Sequence, residues 1–246
     1  MEGMNTLGLI GGMSWHSTMT YYRIINETVA AARGGHASAR ISLQSLDFAE
    51  IRACQVAGDW DRAGALLAEA GRRCEEAGAT TVAICTNLMH KVAPQVEASL
   101  GVPLLHIADA VGAEAADHGW RTLGILGTSW VMEESFYADR LARHGIAAVV
   151  PEAADREVVD QIIFDELTQG VGREASREVY LDVIGRLADR GADAVVLACT
   201  EIGLLVGPGD SPLPMIDSAE AHARALAVEV LRDQAGDRVE GGLVVR

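Results

Sequence analysis

The sequence has few aromatic residues, no excess of basic residues and no long apolar run. Phe, Trp and Tyr together make up 4% of its 246 residues, although hydrophobic residues reach 49%. The core must therefore be built largely from Ala, Val, Leu and the 26 Gly residues, a composition typical of closely packed α/β layers. The length suits one large domain or two smaller ones.

The charge balance excludes two classes of partner. The formal net charge is −15, whereas nucleic acids and anionic membrane surfaces attract basic patches. The apolar runs are shorter than the ~20 residues of a spanning helix, and the N-terminus lacks the basic and apolar segments of a signal peptide. We therefore expect a cytoplasmic protein that acts on a small molecule, with no nucleic-acid or membrane partner.

The four cysteines are too few for a disulfide scaffold. They are Cys54, Cys74, Cys85 and Cys199, and no two of them form a CxxC pair. This spacing argues against a structural zinc site, so we predict reduced thiols and no metal. Cys54 and Cys74 are interpreted as packing residues, because free cysteine is commonly buried.

Apolar runs that end in glycine alternate with helical patterns, which predicts βαβ units on parallel sheets. The stretch "TLGLIGG" (6–12) predicts a buried strand, and "ARISLQSLDF" (39–48) predicts a second one. Ser14 and Ser17 are candidate N-caps for the helix that follows the first strand. The pattern of residues 59–78 predicts an amphipathic helix.

The second half of the chain repeats the first. The stretch "NTLGLIGGMSW" (5–15) resembles "RTLGILGTSW" (121–130), and "EAGATTVAICTN" (76–87) resembles "DRGADAVVLACTE" (189–201). A third and fainter pair, "VPLLHIADA" and "LPMIDSAEA", follows in the same order. Three blocks at a nearly constant offset indicate a duplication.

This duplication predicts two pseudo-symmetric α/β domains with parallel sheets, residues 1–115 and 116–246. The C-terminal segment, about 210–246, could pack back onto the first half. The glycine-rich turn "GLIGGMS" lacks the G-x-G-x-x-G order of a dinucleotide-binding loop, so it predicts no nucleotide cofactor.

Cys85 and Cys199 follow apolar strands at matching places in the two halves. Ligands of open α/β sheets bind outside the carboxyl ends of the strands. Two halves related by a pseudo-twofold axis would bring both strand ends to one cleft, which we expect to hold the active site. A lone cysteine there is more often a packing residue, but a matched pair favours chemistry.

Thiols on opposite sides of a carbon suit the inversion of a stereocentre. One thiolate removes a proton from one face, and the other thiol delivers a proton to the opposite face. The resulting carbanion needs hydrogen-bond donors near the substrate carboxylate. The candidate donors are Thr86, Asn87, Thr128 and Thr200. Glu201 either tunes a thiol or holds the substrate ammonium, or it caps a helix that begins at Ile202.

Five blocks carry a resemblance to a known family: "GLIGGMSW.ST..YY", "CTN.MHK", "HIAD", "IIFDEL" and "CTEIGLL". The chain resembles the aspartate/glutamate racemase family, specifically its bacterial cofactor-independent amino-acid racemase branch. The resemblance implies two pseudo-symmetric α/β domains, a homodimer, no cofactor, and Cys85 and Cys199 as the catalytic acid and base. The residues it implies at the substrate are Met13, Gln55, Thr86, Asn87, Leu88, Thr200 and Glu201.

Two positions depart from the family pattern. Leu88 stands where relatives usually carry Thr, and His16 stands where they often carry Glu. An acidic substrate also needs a cation for its second carboxylate, for which Arg52 and Lys91 are candidates. The substrate is thus aspartate or glutamate, or a broader set of amino acids.

Two other functions stay open at this point. One is a related isomerase or decarboxylase that acts on another α-acidic carboxylate. The other is a catalytically silent paralogue that binds a small carboxylate, although such a protein needs no matched pair of thiols.

Four further polar residues are interpreted as structural. His90 and His106 are not spaced as metal ligands, and we expect them to be hydrogen-bonded within the fold. Asp109 and Asp217 follow the two echoing proline-containing strands, where turn or cap residues are expected.

Overall fold

Two four-stranded parallel sheets form the framework of the protein, which is described here from a computed structural model over residues 5–232. The first sheet contains β1 (Thr6–Gly11), β2 (Arg40–Ser45), β3 (Thr81–Ile84) and β4 (Leu104–Leu105). The second contains β5 (Thr122–Gly127), β6 (Ala147–Val149), β7 (Ala194–Ala198) and β8 (Met215–Asp217). The predicted α/β class with two parallel sheets is confirmed.

The two sheets repeat one strand order. It is β2-β1-β3-β4 in the first sheet and β6-β5-β7-β8 in the second. Each strand of the first sheet therefore has a counterpart four strands later, as the sequence duplication predicts. In this correspondence β3 matches β7, and these are the two strands that lead into Cys85 and Cys199.

Helices connect the parallel strands, because a parallel pair needs a crossover. Those of the first half are α1 (Trp15–Arg33), α2 (Phe48–Ala57), α3 (Trp60–Glu76), α4 (Ala93–Glu97) and α5 (Ile107–Asp117). Those that follow are α6 (Ser129–Glu133), α7 (Ser135–Ala142), α8 (Ala153–Asp165), α9 (Glu174–Asp189) and α10 (Ser218–Leu231). Short 3-10 helices span Leu88–Val92, Leu167–Gln169 and Ile202–Leu204. Within residues 5–232, none of the helices is both long and apolar enough to cross a membrane.

Small side chains let a helix pack directly on the first sheet. A Cβ atom added at Gly8 of β1 would lie 2.6 Å from Cβ of Cys74 on α3. The Cys74 thiol is fully buried, and its Sγ lies 3.5 Å from the carbonyl oxygen of Ser42. Burial raises the pKa of this thiol. Its packing role agrees with the interpretation made from the sequence.

The start of α1 is capped by only one of its two candidate serines. The Ser14 hydroxyl accepts a hydrogen bond from the Ser17 backbone N–H, as an N-cap does. Ser17 itself lies inside the helix, and its hydroxyl donates to the carbonyl oxygen of Cys85 at 2.9 Å. The prediction of a cap at Ser17 was therefore wrong, because the hydroxyl is used by a segment distant in sequence.

The residue contacts divide the chain into two compact units. One comprises the segment up to His106 together with the segment that begins at His222, and the other spans Ile107–Ala221. The bounds expected from the duplication, 1–115 and 116–246 with a returning segment from about 210, stay a prediction. Helix α5 lies in the second unit, where it packs on α7.

The packing of α5 on α7 is fixed by Asp109, for which we expected a turn or cap role. Its carboxylate instead accepts hydrogen bonds from Nε of Arg140 at 2.7 Å and Nε2 of His144 at 2.9 Å. Burial alone would raise the pKa of Asp109, but these two partners outweigh it and lower the pKa. Asp217, by contrast, does cap α10, since its Oδ1 accepts from the N–H groups of Ala219 and Glu220.

We expect Asp109→Asn to lower the free energy of unfolding by about 1–2 kcal/mol at pH 7, because it breaks a half-buried charged network. The folded-state pKa of Asp109 is depressed, so its contribution is present above the ordinary Asp pKa of about 4. It is lost as the pH falls through the lower folded-state value. Urea unfolding at neutral and acidic pH measures this difference.

Asp155→Asn is the matched control, because Asp155 also accepts two hydrogen bonds from one arginine, Arg186, at 2.7 and 2.8 Å. The Arg186 side chain is half exposed, so this pair should contribute less than about 1 kcal/mol. Equal effects of the two substitutions on the free energy of unfolding, or an effect of Asp109→Asn that does not depend on pH, would contradict the stabilising role of the Asp109 network.

Candidate active site

The Cys85 thiol sits at the carboxyl end of β3, in the first unit. Its backbone N–H donates to the carbonyl oxygen of Ile10 at 2.9 Å, which continues the pairing of β3 with β1 by one residue. The side chain is fully buried. Burial raises the pKa of this thiol, and the neighbouring Cys74 raises it further, so the neutral form is favoured.

A tight turn follows Cys85 and holds three of the predicted site residues. The carbonyl oxygen of Asn87 accepts from the His90 N–H at 3.0 Å, which closes the first turn of the 3-10 helix. Asn87 and Leu88 are 2% and 7% exposed, so Leu88 contributes apolar bulk to this turn. The Thr86 carbonyl oxygen lies 2.8 Å from Nδ1 of His90.

Gln55 of α2 is tied to the same turn. Its Nε2 donates to Sδ of Met89 at 3.3 Å, and its Oε1 accepts from Arg52 at 3.2 Å. Met13 lies just beyond the end of β1, the strand beside β3, and is 4% exposed. In the first unit, Gln55 and the turn that follows Cys85 thus lie together at one strand end.

Cys199 occupies the matching place in the second unit. Gly127 of β5 and Ala198 of β7 are paired in the sheet, so Thr128 and Cys199 are the next residues on two adjacent strands. The Thr128 hydroxyl oxygen is buried, and within the described part of the chain it has no hydrogen-bond partner. A buried hydroxyl of this kind can donate to a bound ligand at little cost.

Glu201 accepts hydrogen bonds from both residues that precede it. Its Oε2 lies 3.3 Å from the Cys199 sulfur and 2.7 Å from the Thr200 hydroxyl oxygen. The alternative that Glu201 caps the turn at Ile202 was wrong, because its side chain makes no cap hydrogen bond there. Burial raises the pKa of the Cys199 thiol well above its usual range, and the negative charge of Glu201 raises it further.

The two strand ends therefore differ in charge although their sequences match. Cys85 is followed by Thr86 and the neutral Asn87, whereas Cys199 is followed by Thr200 and the anionic Glu201. The carboxylate thus stabilises the protonated form of one thiol, with no counterpart at the equivalent position beside the other.

Sequence reasoning missed Ser17 and Asp160 as neighbours of the two cysteines. Ser17 binds the Cys85 carbonyl, as described above, and Asp160 of α8 accepts from the Ser129 N–H at 2.7 Å and raises the pKa of Cys199 through its charge. The sequence around Ser17 and Asp160 does not indicate these contacts, because each residue lies near its cysteine only through tertiary packing. Among the described residues, no group of three or more His, Cys, Asp or Glu side chains is arranged to hold a metal ion.

We expect Glu201→Gln to lower the pKa of the Cys199 thiol, because the neutral amide no longer disfavours the thiolate. The pH dependence of Cys199 alkylation, followed by mass spectrometry, measures this shift, because Cys199 is only partly buried. Glu174→Gln, which changes an exposed carboxylate, serves as the control. An unchanged or raised alkylation pKa of Cys199 in Glu201→Gln would refute this electrostatic coupling.

Comparison with known proteins identifies the family. The sequence model of the family described as Asp/Glu/hydantoin racemase matches residues 10–226. The chain belongs to this family, as the resemblance of its motifs predicted.

Individual relatives agree with this assignment. A solved Yersinia pestis protein, provisionally described as an Asp/Glu racemase, is 47% identical, with a TM-score of 0.88 over 93% of this chain and 100% of its own. The structure of an aspartate racemase homologue from Pyrococcus horikoshii is 31% identical, with a TM-score of 0.79 over 91% of this chain and 97% of its own. The broad specificity amino-acid racemase RacX of Bacillus subtilis is 22% identical over 167 residues, which are 68% of this chain and 72% of RacX.

Proposed function

We propose that this protein racemises an amino acid without a cofactor, using Cys85 and Cys199 as the paired base and acid. The observation that carries the proposal is the equivalence of the two thiols. Each is the first residue beyond the same strand of a repeated sheet, at the edge where ligands of α/β proteins bind. Membership of a racemase family agrees with this chemistry.

In the proposed reaction, the substrate lies in a cleft with one thiol at each face of its α-carbon. A thiolate takes the α-proton and forms an S–H bond, and the electrons of the broken C–H bond pass into the carboxylate as an enolate-like anion. The opposite thiol then gives its proton to the other face and becomes the thiolate. The reverse reaction exchanges the two roles.

The anionic intermediate is stabilised by donors at the strand ends. The buried Thr128 hydroxyl supports this role, because no other group in residues 5–232 uses it. The remaining proposed substrate contacts are Met13, Gln55, Thr86, Asn87, Leu88, Thr200 and Glu201. Both thiols have a raised pKa in the free protein, so we propose that the substrate ammonium, held by Glu201, favours the thiolate once it binds.

For the substrate, we propose aspartate or glutamate within a broader set of amino acids. Two observations support breadth. Leu88 supplies no hydroxyl to the substrate side chain, and the candidate cations are engaged within the first unit. Arg52 donates to Gln55, and the Lys91 ammonium lies 4.1 Å from the ring centroid of Trp60. The relative RacX is itself described as a broad specificity racemase.

The direct test is solvent deuterium exchange at the α-carbon across a panel of L- and D-amino acids, with no cofactor added. We expect exchange with inversion for at least one member of the panel. Exchange or proton delivery only with a malonate-type acid would favour a decarboxylase or another isomerase. Binding of a small carboxylate without exchange would favour a silent paralogue. The expected homodimer is tested separately by light scattering.

A further inference from the structure

Three buried histidines lie together in the first unit, beside the turn that follows Cys85. They are His90, His106 and His222, which are 1%, 4% and 0% exposed. The ring centroids of His90 and His106 are 4.3 Å apart, and those of His90 and His222 are 5.9 Å apart. Buried polar rings need hydrogen bonds, and those of this cluster define where its protons are.

The hydrogen-bond partners of two of these histidines show which ring nitrogen carries the proton. A carbonyl oxygen can only accept, so Nδ1 of His90 carries the proton that it donates to Thr86. For the same reason Nε2 of His222 donates to the Leu105 carbonyl oxygen at 2.9 Å. In the neutral ring, Nδ1 of His222 then accepts from the Tyr21 hydroxyl at 2.8 Å.

The backbone around Cys85 is held by hydrogen bonds on three sides. The Cys85 N–H donates to Ile10, and the Cys85 carbonyl oxygen accepts from Ser17. The next carbonyl oxygen, that of Thr86, accepts from His90. The backbone pairing of β3 with β1 extends to the N–H group of Cys85, and the carbonyl groups of Cys85 and Thr86 are then held by side chains.

We propose that His90 is a positioning residue for Cys85. Its ring N–H fixes the Thr86 carbonyl, and thereby the orientation of the peptide that joins the cysteine to Thr86. The rings of His106 and His222 pack beside the His90 ring and hold it in place. This inference rests on the proposed racemase function, because proton transfer needs a thiol aligned with the α-carbon to within a few tenths of an ångström.

The test compares two substitutions that differ in one donor. The side-chain amide of His90→Asn places an N–H group at the position of Nδ1, whereas His90→Leu removes the donor. We expect kcat for racemisation to fall about 10–100-fold in His90→Leu, more than KM rises. His90→Asn should retain most of the parent kcat. Should His90→Leu fail to fold, His90→Gln keeps a polar side chain but displaces the donor, and the same loss is expected.

His118→Leu is the matched control. His118 makes the same local contact, from Nδ1 to the carbonyl oxygen of Glu114 four residues earlier at 2.9 Å, but it follows α5 and no cysteine. We expect its racemase activity to equal that of the parent. A parent-like kcat in His90→Leu, or an equally low kcat in His90→Asn, would overturn the proposal.

A second readout does not depend on racemase activity. Amide hydrogen exchange in the peptide 85–90 should be severalfold faster in His90→Leu than in the parent, and near the parent value in His90→Asn. Unchanged exchange in His90→Leu would refute the positioning role. If the parent racemised nothing while this exchange pattern held, the proposed function would fail and the positioning of the turn would stand.

Discussion

Replacing either Cys85 or Cys199 by serine should lower kcat for racemisation by about 10²–10⁴-fold in both directions, the range in which a general acid or base contributes. A serine hydroxyl is far less acidic than a thiol, so it neither takes up nor releases the α-proton near neutral pH. Each variant retains one thiol, which faces one side of the substrate. Chiral chromatography of the product measures the loss.

The two variants should differ in the enantiomer on which they still act. With one thiol left, a proton can be removed and returned on a single face, so slow deuterium exchange without inversion is expected for one enantiomer only. It should be the opposite enantiomer in the other variant. Cys54→Ser is the control, since Cys54 is a buried thiol outside the repeated blocks and 3% exposed. Parent-like racemisation in both single variants would refute the two-thiol mechanism.

Gly12→Ala should lower the free energy of unfolding by about 2–6 kcal/mol, a large part of the usual 5–15 kcal/mol. Gly12 has a φ of +90°, and an added Cβ would overlap the carbonyl oxygen of Leu46. The Leu46 oxygen belongs to the backbone, so no flexible side chain can move aside to relieve the overlap. Chemical unfolding monitored by circular dichroism measures the loss.

Gly78→Ala separates the two causes of this loss. Gly78 has the same φ of +90°, but a Cβ added there meets no atom within 4 Å. Gly78→Ala should therefore lower the free energy of unfolding only by the conformational strain, about 1–2 kcal/mol. Equal destabilisation by the two substitutions would show that the Leu46 backbone does not constrain Gly12.

Much of the fold could be predicted from the sequence because the chain contains the same plan twice. The matching blocks predict two parallel sheets and single out the strands before Cys85 and Cys199. The strand order could not be predicted, because the pattern of apolar residues shows where strands lie but not which ones pair. The short β4 (Leu104–Leu105) likewise gains its identity from pairing with β3.

Site residues could be predicted from the sequence only where they are neighbours along the chain. Cys85, Thr86 and Asn87, like their counterparts in the second half, stand on consecutive positions that the repeat marks. Asp109 illustrates the opposite case, since its partner Arg140 lies 31 residues away on another helix. His222 is a second such case, because it reaches the cluster beside His90 only through the tertiary fold.

The most direct test of the paired thiols is racemisation by the parent protein in deuterium oxide, stopped at low conversion. If separate thiols serve the two faces, the product enantiomer should carry one solvent deuterium at the α-carbon while the recovered substrate carries almost none. Equal deuterium in product and recovered substrate would contradict this account, because it would mean that a single group exchanges its proton with both faces.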